Sequence, residues 1–193
     1  HSPSRRQRQM CIRDRTGVIK KAAQISVEAH KRAMTFCQPG IYEYELQAEI
    51  EHQFNKSGAS GPAYSSIVGG GNNACVLHYI ENKDILKDGD LVLIDAGCEY
   101  ENYAADITRT FPVNGKFSTE QAAIYDIVLE ALEQAIEVTQ SGAPYNVTNE
   151  TTIKVITEGL VNLGLLQGEV TDLITSEAHR EFYMHGAGPV SYT

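Results

Sequence analysis

An aspartate set directly behind four aliphatic residues constrains this chain more than any other feature. Leu91-Val92-Leu93-Ile94 leads straight into Asp95, and a second carboxylate, Asp106, follows in the next β-type run. Leu91–Cys98 and Tyr103–Val113 both read as strands. The aliphatic run suggests burial on both faces of a sheet, where a lone charge is out of place. A turn centred on Tyr100 and Glu101 places Asp95 directly across from Asp106 on one face of a hairpin, although a bulge or slip would change the pairing. Directly opposed Cβ atoms lie about 4.5–5.5 Å apart, a distance at which two carboxylates repel. A shared proton or a bound cation offsets that repulsion, and hard oxygen donors suit a divalent ion. The alternative is that both aspartates cap amides at strand ends. Two aspartates cannot close a coordination sphere, so other donors are required. His78 and His185 are the histidines in strand-like segments, whereas His30, His52 and His179 fall in helical patterns and read as surface residues.

The surrounding chain reads as α+β. Apolar positions from Ile19 to Phe36 recur at helical spacing between Gly17 and Cys37, and a second helix spans Tyr44 to Asn55. Short β-type runs at Tyr64–Val68 and Ala74–Tyr79 flank Gly69-Gly70-Gly71-Asn72-Asn73. That glycine segment lacks the lysine and helix start of a phosphate-binding loop and reads as a flexible turn. Ser118-Thr119-Glu120-Gln121 fits a capping box opening a long helix, with Ile124, Ile127, Val128, Leu132, Ala135 and Ile136 on its apolar face. Helices at Thr148–Leu163 and Val170–His179 follow, then a short final strand around Phe182–His185. Successive strands without a crossover helix predict antiparallel pairing.

Composition narrows the function classes. The 193 residues carry 16 basic and 25 acidic side chains, a net charge of −9. Five of the arginines lie in residues 1–15, leaving 11 basic against 24 acidic residues in the remainder. Such a surface opposes a polyphosphate partner, so no nucleic acid is expected. No apolar run approaches the roughly 20 residues of a membrane span, which predicts no membrane partner and a cytoplasmic location. Cys11, Cys37, Cys75 and Cys98 show no paired spacing and read as reduced thiols.

These residues together resemble the aminopeptidase P branch of the creatinase, prolidase and methionine aminopeptidase superfamily, the pita-bread metallopeptidases. The resemblance runs from about Gly17 to Gly186. It is carried by His78-Tyr79-Ile80-Glu81-Asn82, Asp88-Gly89-Asp90, the Asp95 stretch, Asp106-Ile107-Thr108-Arg109-Thr110-Phe111-Pro112 and Phe182-Tyr183-Met184-His185-Gly186. It implies an α+β, incomplete pita-bread fold in which helices cover an antiparallel sheet. It further implies that Asp95 chelates one metal ion and that Asp106 bridges two, most consistent with Mn²⁺, around an activated hydroxide. His78 and His185 then serve catalysis by facing the substrate, a peptide with proline at its second position. The full-length parent is expected to be a homo-oligomer.

The resemblance also implies ligands that are not matched here. Relatives place a metal-binding histidine four residues after the one corresponding to His185, where this chain has Pro189, and complete the site with two later glutamates. The expected organisation is an extraneous tail at 1–15, a partial metallopeptidase catalytic domain at 16–189 and a second extraneous tail at 190–193. Both tails resemble translated sequencing-adaptor read-through. With two of five protein ligands, the piece itself is expected to be inactive. A prolidase-type dipeptidase or methionine aminopeptidase would use the same aspartate pair, and a noncatalytic peptide- or partner-binding module on the same fold is the alternative outside enzymes.

Overall fold

A computed structural model describes residues 5–186, and the chain divides into two compact units, 1–117 and 118–193. In the first unit, helix α1 (Arg5–Phe36) and helix α2 (Glu43–Lys56) are followed by strands β1 (Gly61–Pro62) and β2 (Ile67–Gly70) and a 3-10 turn at Gly71–Cys75. Strands β3 (Leu91–Asp95), β4 (Cys98–Tyr100), β5 (Tyr103–Ala104) and β6 (Thr108–Pro112) complete it. The helix expected from Gly17 thus continues backward to Arg5, while the reading of 1–15 as a tail concerns its origin and is not decided by its backbone. The strands form two antiparallel sheets, β1-β4-β5 and β2-β3-β6.

Helix–sheet packing follows the periodicities of the sequence. Ala22, Ile25, Ala29 and Ala33 on α1 and Leu46, Ile50 and Phe54 on α2 recur every three or four residues and are buried together with Val68, Val92 and Ile94. Burial along β3 alternates: Val92 and Ile94 are enclosed, whereas Leu91, Leu93 and Asp95 are half-buried. The strand therefore presents one covered and one open face, correcting the expectation of burial on both, and Asp95 stands on the open one. The run expected as a strand at 74–79 is the end of the 3-10 turn followed by loop. Gly71 enters that turn at φ +53°, where an added Cβ would lie 2.6 Å from Asp90 Oδ2, so the glycine-rich stretch is a folded turn.

The second unit contains helices α3 (Thr119–Val138), α4 (Val147–Asn162) and α5 (Val170–Thr175) and a 3-10 turn at Ala178–Glu181. The capping box forms as read: Ser118 Oγ accepts from Gln121 N at 3.2 Å, and Gln121 Oε1 accepts from Ser118 N at 2.9 Å. The buried side of α3 differs from the expected apolar face. Ala131 and Ala135 are enclosed, with Ile127 packed beside them, but Ile124, Val128, Leu132 and Ile136 are exposed. Close approach of α4 selects that side, because Gly159 leaves room for Ile127: an added Cβ there would lie 2.6 Å from Ile127 Cγ2. Phe182–His185 is irregular chain and forms no strand. No helix among the described residues is long and apolar enough to cross a membrane.

Candidate metal centre

The hairpin closes one residue later than the sequence reading placed it. Glu101 and Asn102 both have positive φ, 48° and 66°, and make the two-residue turn, so Tyr100 pairs with Tyr103 and Glu99 with Ala104. The same register carries Asp95 opposite Thr108. Asp106 is therefore Asp95's diagonal neighbour on the same face, and direct opposition is corrected. A local pinch assists this arrangement. Ala96 N donates to Ile107 O and Ala105 N to Cys98 O, drawing the chains together at Gly97, where an added Cβ would sit 1.7 Å from Ala105 O. Only glycine fits there.

The two carboxylates converge through a residue that sequence reasoning missed. Tyr64 Oη lies 2.6 Å from Asp95 Oδ1 and 3.0 Å from Asp106 Oδ1, and its single hydrogen is shared between two acceptors. Burial, reinforced by the bond to Asp95 and the charge of both aspartates, holds the Tyr64 phenol far above its ordinary range. Burial raises the Asp95 carboxyl as well, as does nearby Asp106, against hydrogen bonds from Tyr64 and Thr108 that pull it down. Nothing in the local pattern around Tyr64 distinguishes it from a strand aromatic. Its role depends on a contact 31 residues away from Asp95 and 42 from Asp106.

His78 shares this site. Tyr64, Ser65, Ile67, His78, Ile80, Asp95 and Asp106 line an open cavity of about 340 Å³. His78 lies in a loop with φ 54°, not in a strand, and is exposed, while its neighbours Tyr79 and Asn82 are buried. His185 is exposed near the end of the second unit. Pro189 and residues 190–193 lie outside the described residues. His52 is exposed as read, but His30 and His179 are buried, correcting the surface reading. His30 Nε2 donates to Ala96 O at 3.0 Å, immediately behind Asp95, and its Nδ1 has no hydrogen-bond partner. Burial lowers the His30 pKa, against the hydrogen bond to Ala96 O that raises it.

The donor set fits a hard divalent cation: two carboxylates converge on an open cavity, and a like-charged pair gains most from a positive ion between them. No cluster of three or more metal-binding side chains occurs among the described residues, so the pair accounts for only part of a coordination sphere. Cys37 and Cys98 are not competing nucleophiles. Burial pushes Cys37 up to about 11 and raises Cys98, and Cys37, Cys75 and Cys98 are free thiols.

The chain is 53% identical over 169 residues to the Xaa-Pro aminopeptidase of Escherichia coli, covering 88% of this chain and 38% of that protein. It is 52% identical to the Xaa-Pro aminopeptidase of Haemophilus influenzae, covering 89% and 40%. Among solved structures, Pseudomonas aeruginosa aminopeptidase PepP superposes with a TM-score of 0.88 at 56% identity, covering 89% of this chain and 39% of that one. A zinc-substituted E. coli aminopeptidase P in complex with product gives 0.87 at 52% identity, with the same coverage. The fold is thus the α+β pita-bread type, and the chain spans about two fifths of the length of these relatives. The profile of Metallopeptidase family M24 matches residues 17–191, and with its paired aspartates on an open sheet face the chain belongs to that metallopeptidase family.

Proposed function

We propose that this chain is the aspartate-bearing part of an Xaa-Pro aminopeptidase, an exopeptidase that releases an N-terminal residue preceding proline. The observation that carries this reading is the convergence of Asp95 and Asp106 on one phenol beside His78, in a chain over half identical to proteins of that name. Asp95 would chelate one divalent ion and Asp106 would bridge two, with Mn²⁺ favoured by the oxygen donors. When bound, such ions polarise a carbonyl and make water a nucleophile at neutral pH.

The chain's own residues do the rest. Tyr64 fixes the orientation of both carboxylates. His78 reaches the substrate from the cavity rim, and His185 is assigned a second substrate contact. Ile67 and Ile80 give the cavity apolar lining beside its carboxylates. The bond before proline is a tertiary amide without an N–H, so recognition must come from the ring's shape and not from a donor at the scissile nitrogen. The intact parent is proposed to be a cytoplasmic homo-oligomer, and residues 1–15 and 190–193 to be foreign to it. Uninterrupted genomic reads through both junctions would refute that origin.

Two described carboxylates predict a dissociation constant for Mn²⁺ of about 1 mM or weaker and no measurable turnover. Calorimetric titration with Mn²⁺ and an assay on an Xaa-Pro peptide test this. Binding lost in Asp106→Ala supports the site, and binding unaffected by that change removes it. Turnover by this chain that Asp106→Ala abolishes would overturn the predicted inactivity while keeping the assignment of the centre.

A further inference from the structure

The loop that presents His78 has almost no apolar anchor. Between Gly71 and Ile85 only Tyr79 and Asn82 are buried, while Val76, Leu77 and Ile80 are more than half exposed. His78 and Asn82 also hold positive φ, 54° and 45°, a strained conformation that non-glycine residues keep only where the surroundings fix it. Something other than hydrophobic burial must hold this loop in one shape.

That something is a carboxylate. Glu43, in the first turn of α2, is fully buried, and four donors meet its two oxygens. Oε1 accepts from Gly70 N at 2.8 Å and Asn73 Nδ2 at 3.0 Å; Oε2 accepts from Tyr79 Oη at 2.8 Å and Asp84 N at 3.0 Å. These partners mark the start, middle and end of the loop, and Tyr79 is the residue next to His78. Glu43 N returns a bond to Asp84 O, and Leu86 N to Ile41 O, so the far end is latched to the α2 entry in both directions. The first turn of a helix favours an acidic group. Asn82 adds a second brace, accepting from Val68 N and donating to Gln47 Oε1 and Ser66 O.

We propose that Glu43 is a positioning residue for the active site: its buried carboxylate sets the shape of the 70–84 loop and thereby aims His78 at the Asp95–Asp106 cavity. The role in aiming His78 rests on the peptidase reading above. The role in shaping the loop does not. Because every partner is a donor, glutamine is no substitute here. Its amide NH₂ would face two donors whichever way it turned, leaving buried groups unpaired.

Two measurements on the full 193-residue chain, with Glu43→Gln and with Ile50→Ala as a core-destabilising reference, separate the outcomes. Amide hydrogen exchange in Glu43→Gln is expected to accelerate about tenfold to hundredfold across 70–84 and to change less than about threefold in the β3–β6 ladder, whereas Ile50→Ala accelerates both alike. Parallel acceleration in Glu43→Gln, or no change in the loop, overturns the proposal. Mn²⁺-induced broadening of the His78 ring resonances in NMR reads the aim: strong in the wild type, and several-fold weaker in Glu43→Gln. Equal broadening in both refutes the aiming role. Its absence in both refutes the metal reading, and the exchange experiment still decides the loop. If Glu43→Gln does not fold, Tyr79→Phe deletes one donor and keeps the carboxylate, and it must release the loop locally at smaller amplitude; a uniform or null effect refutes the proposal.

Discussion

At the scale of single residues, Tyr64 decides how two acidic groups tolerate one another. Its one hydrogen serves both carboxylates, so removing the hydroxyl leaves the half-buried Asp95 and the exposed Asp106 without that donor. Tyr64→Phe is expected to destabilise the metal-free chain by about 1–2 kcal/mol in urea denaturation, and saturating Mn²⁺ should recover part of that loss by supplying the missing positive partner. An unchanged midpoint would show that the phenol is not a structural bridge. Asp95 was legible from the sequence because a charge directly behind four aliphatic residues stands out, and Asp106 because it follows in the next β-type run and in the motif that carries the family resemblance. Tyr64, His30 and Glu43 were not. A tyrosine in a β-type run, a histidine in an amphipathic helix and a glutamate in a helix's first turn each satisfy local rules without revealing their distant partners.

At the scale of elements, the hairpin sets the geometry of the centre. The turn forms at Glu101–Asn102 because two adjacent positive-φ residues are needed, and the one-residue difference from the sequence reading changes opposition into a diagonal. Side chains alternate with a period of two, and the observed turn moved every cross-strand partner by two residues, so both aspartates stayed on one face. The close approach at Gly97 is the element's sensitive point. Gly97→Ala would drive a methyl into Ala105 O, with backbone on both sides and no flexible side chain to yield. A loss of about 3 kcal/mol or more is expected, or failure to fold, together with loss of Mn²⁺ binding. Near-normal thermal stability and metal affinity would contradict this account of the pinch.

At the scale of the whole molecule, an ion held by the proposed Asp95–Asp106 site would link metal binding to stability. An ion that binds the folded chain and not the unfolded one stabilises it by mass action, by about 1.4 kcal/mol at ten times the dissociation constant. Differential scanning calorimetry should show Mn²⁺ raising the melting temperature in the wild type and leaving it unchanged in Asp106→Ala. Equal shifts in both would place the ion elsewhere. Apart from the strands expected at 74–79 and 182–185, which do not form, the order of helices and strands, the capping box at Ser118 and the antiparallel pairing followed local rules: apolar spacing, turn residues, and the lack of a crossover helix between strands. The two aspartates stood out as a carboxylate pair in neighbouring β-type runs, and their candidacy as metal ligands came from the family resemblance. The choice of which helix face is buried, the cross-strand partner of Asp95, the phenol between the carboxylates and the buried glutamate behind the His78 loop were settled only when the chain closed on itself. Each depends on contacts between residues far apart in the chain, and no pattern of neighbours along the chain encodes a distance through space.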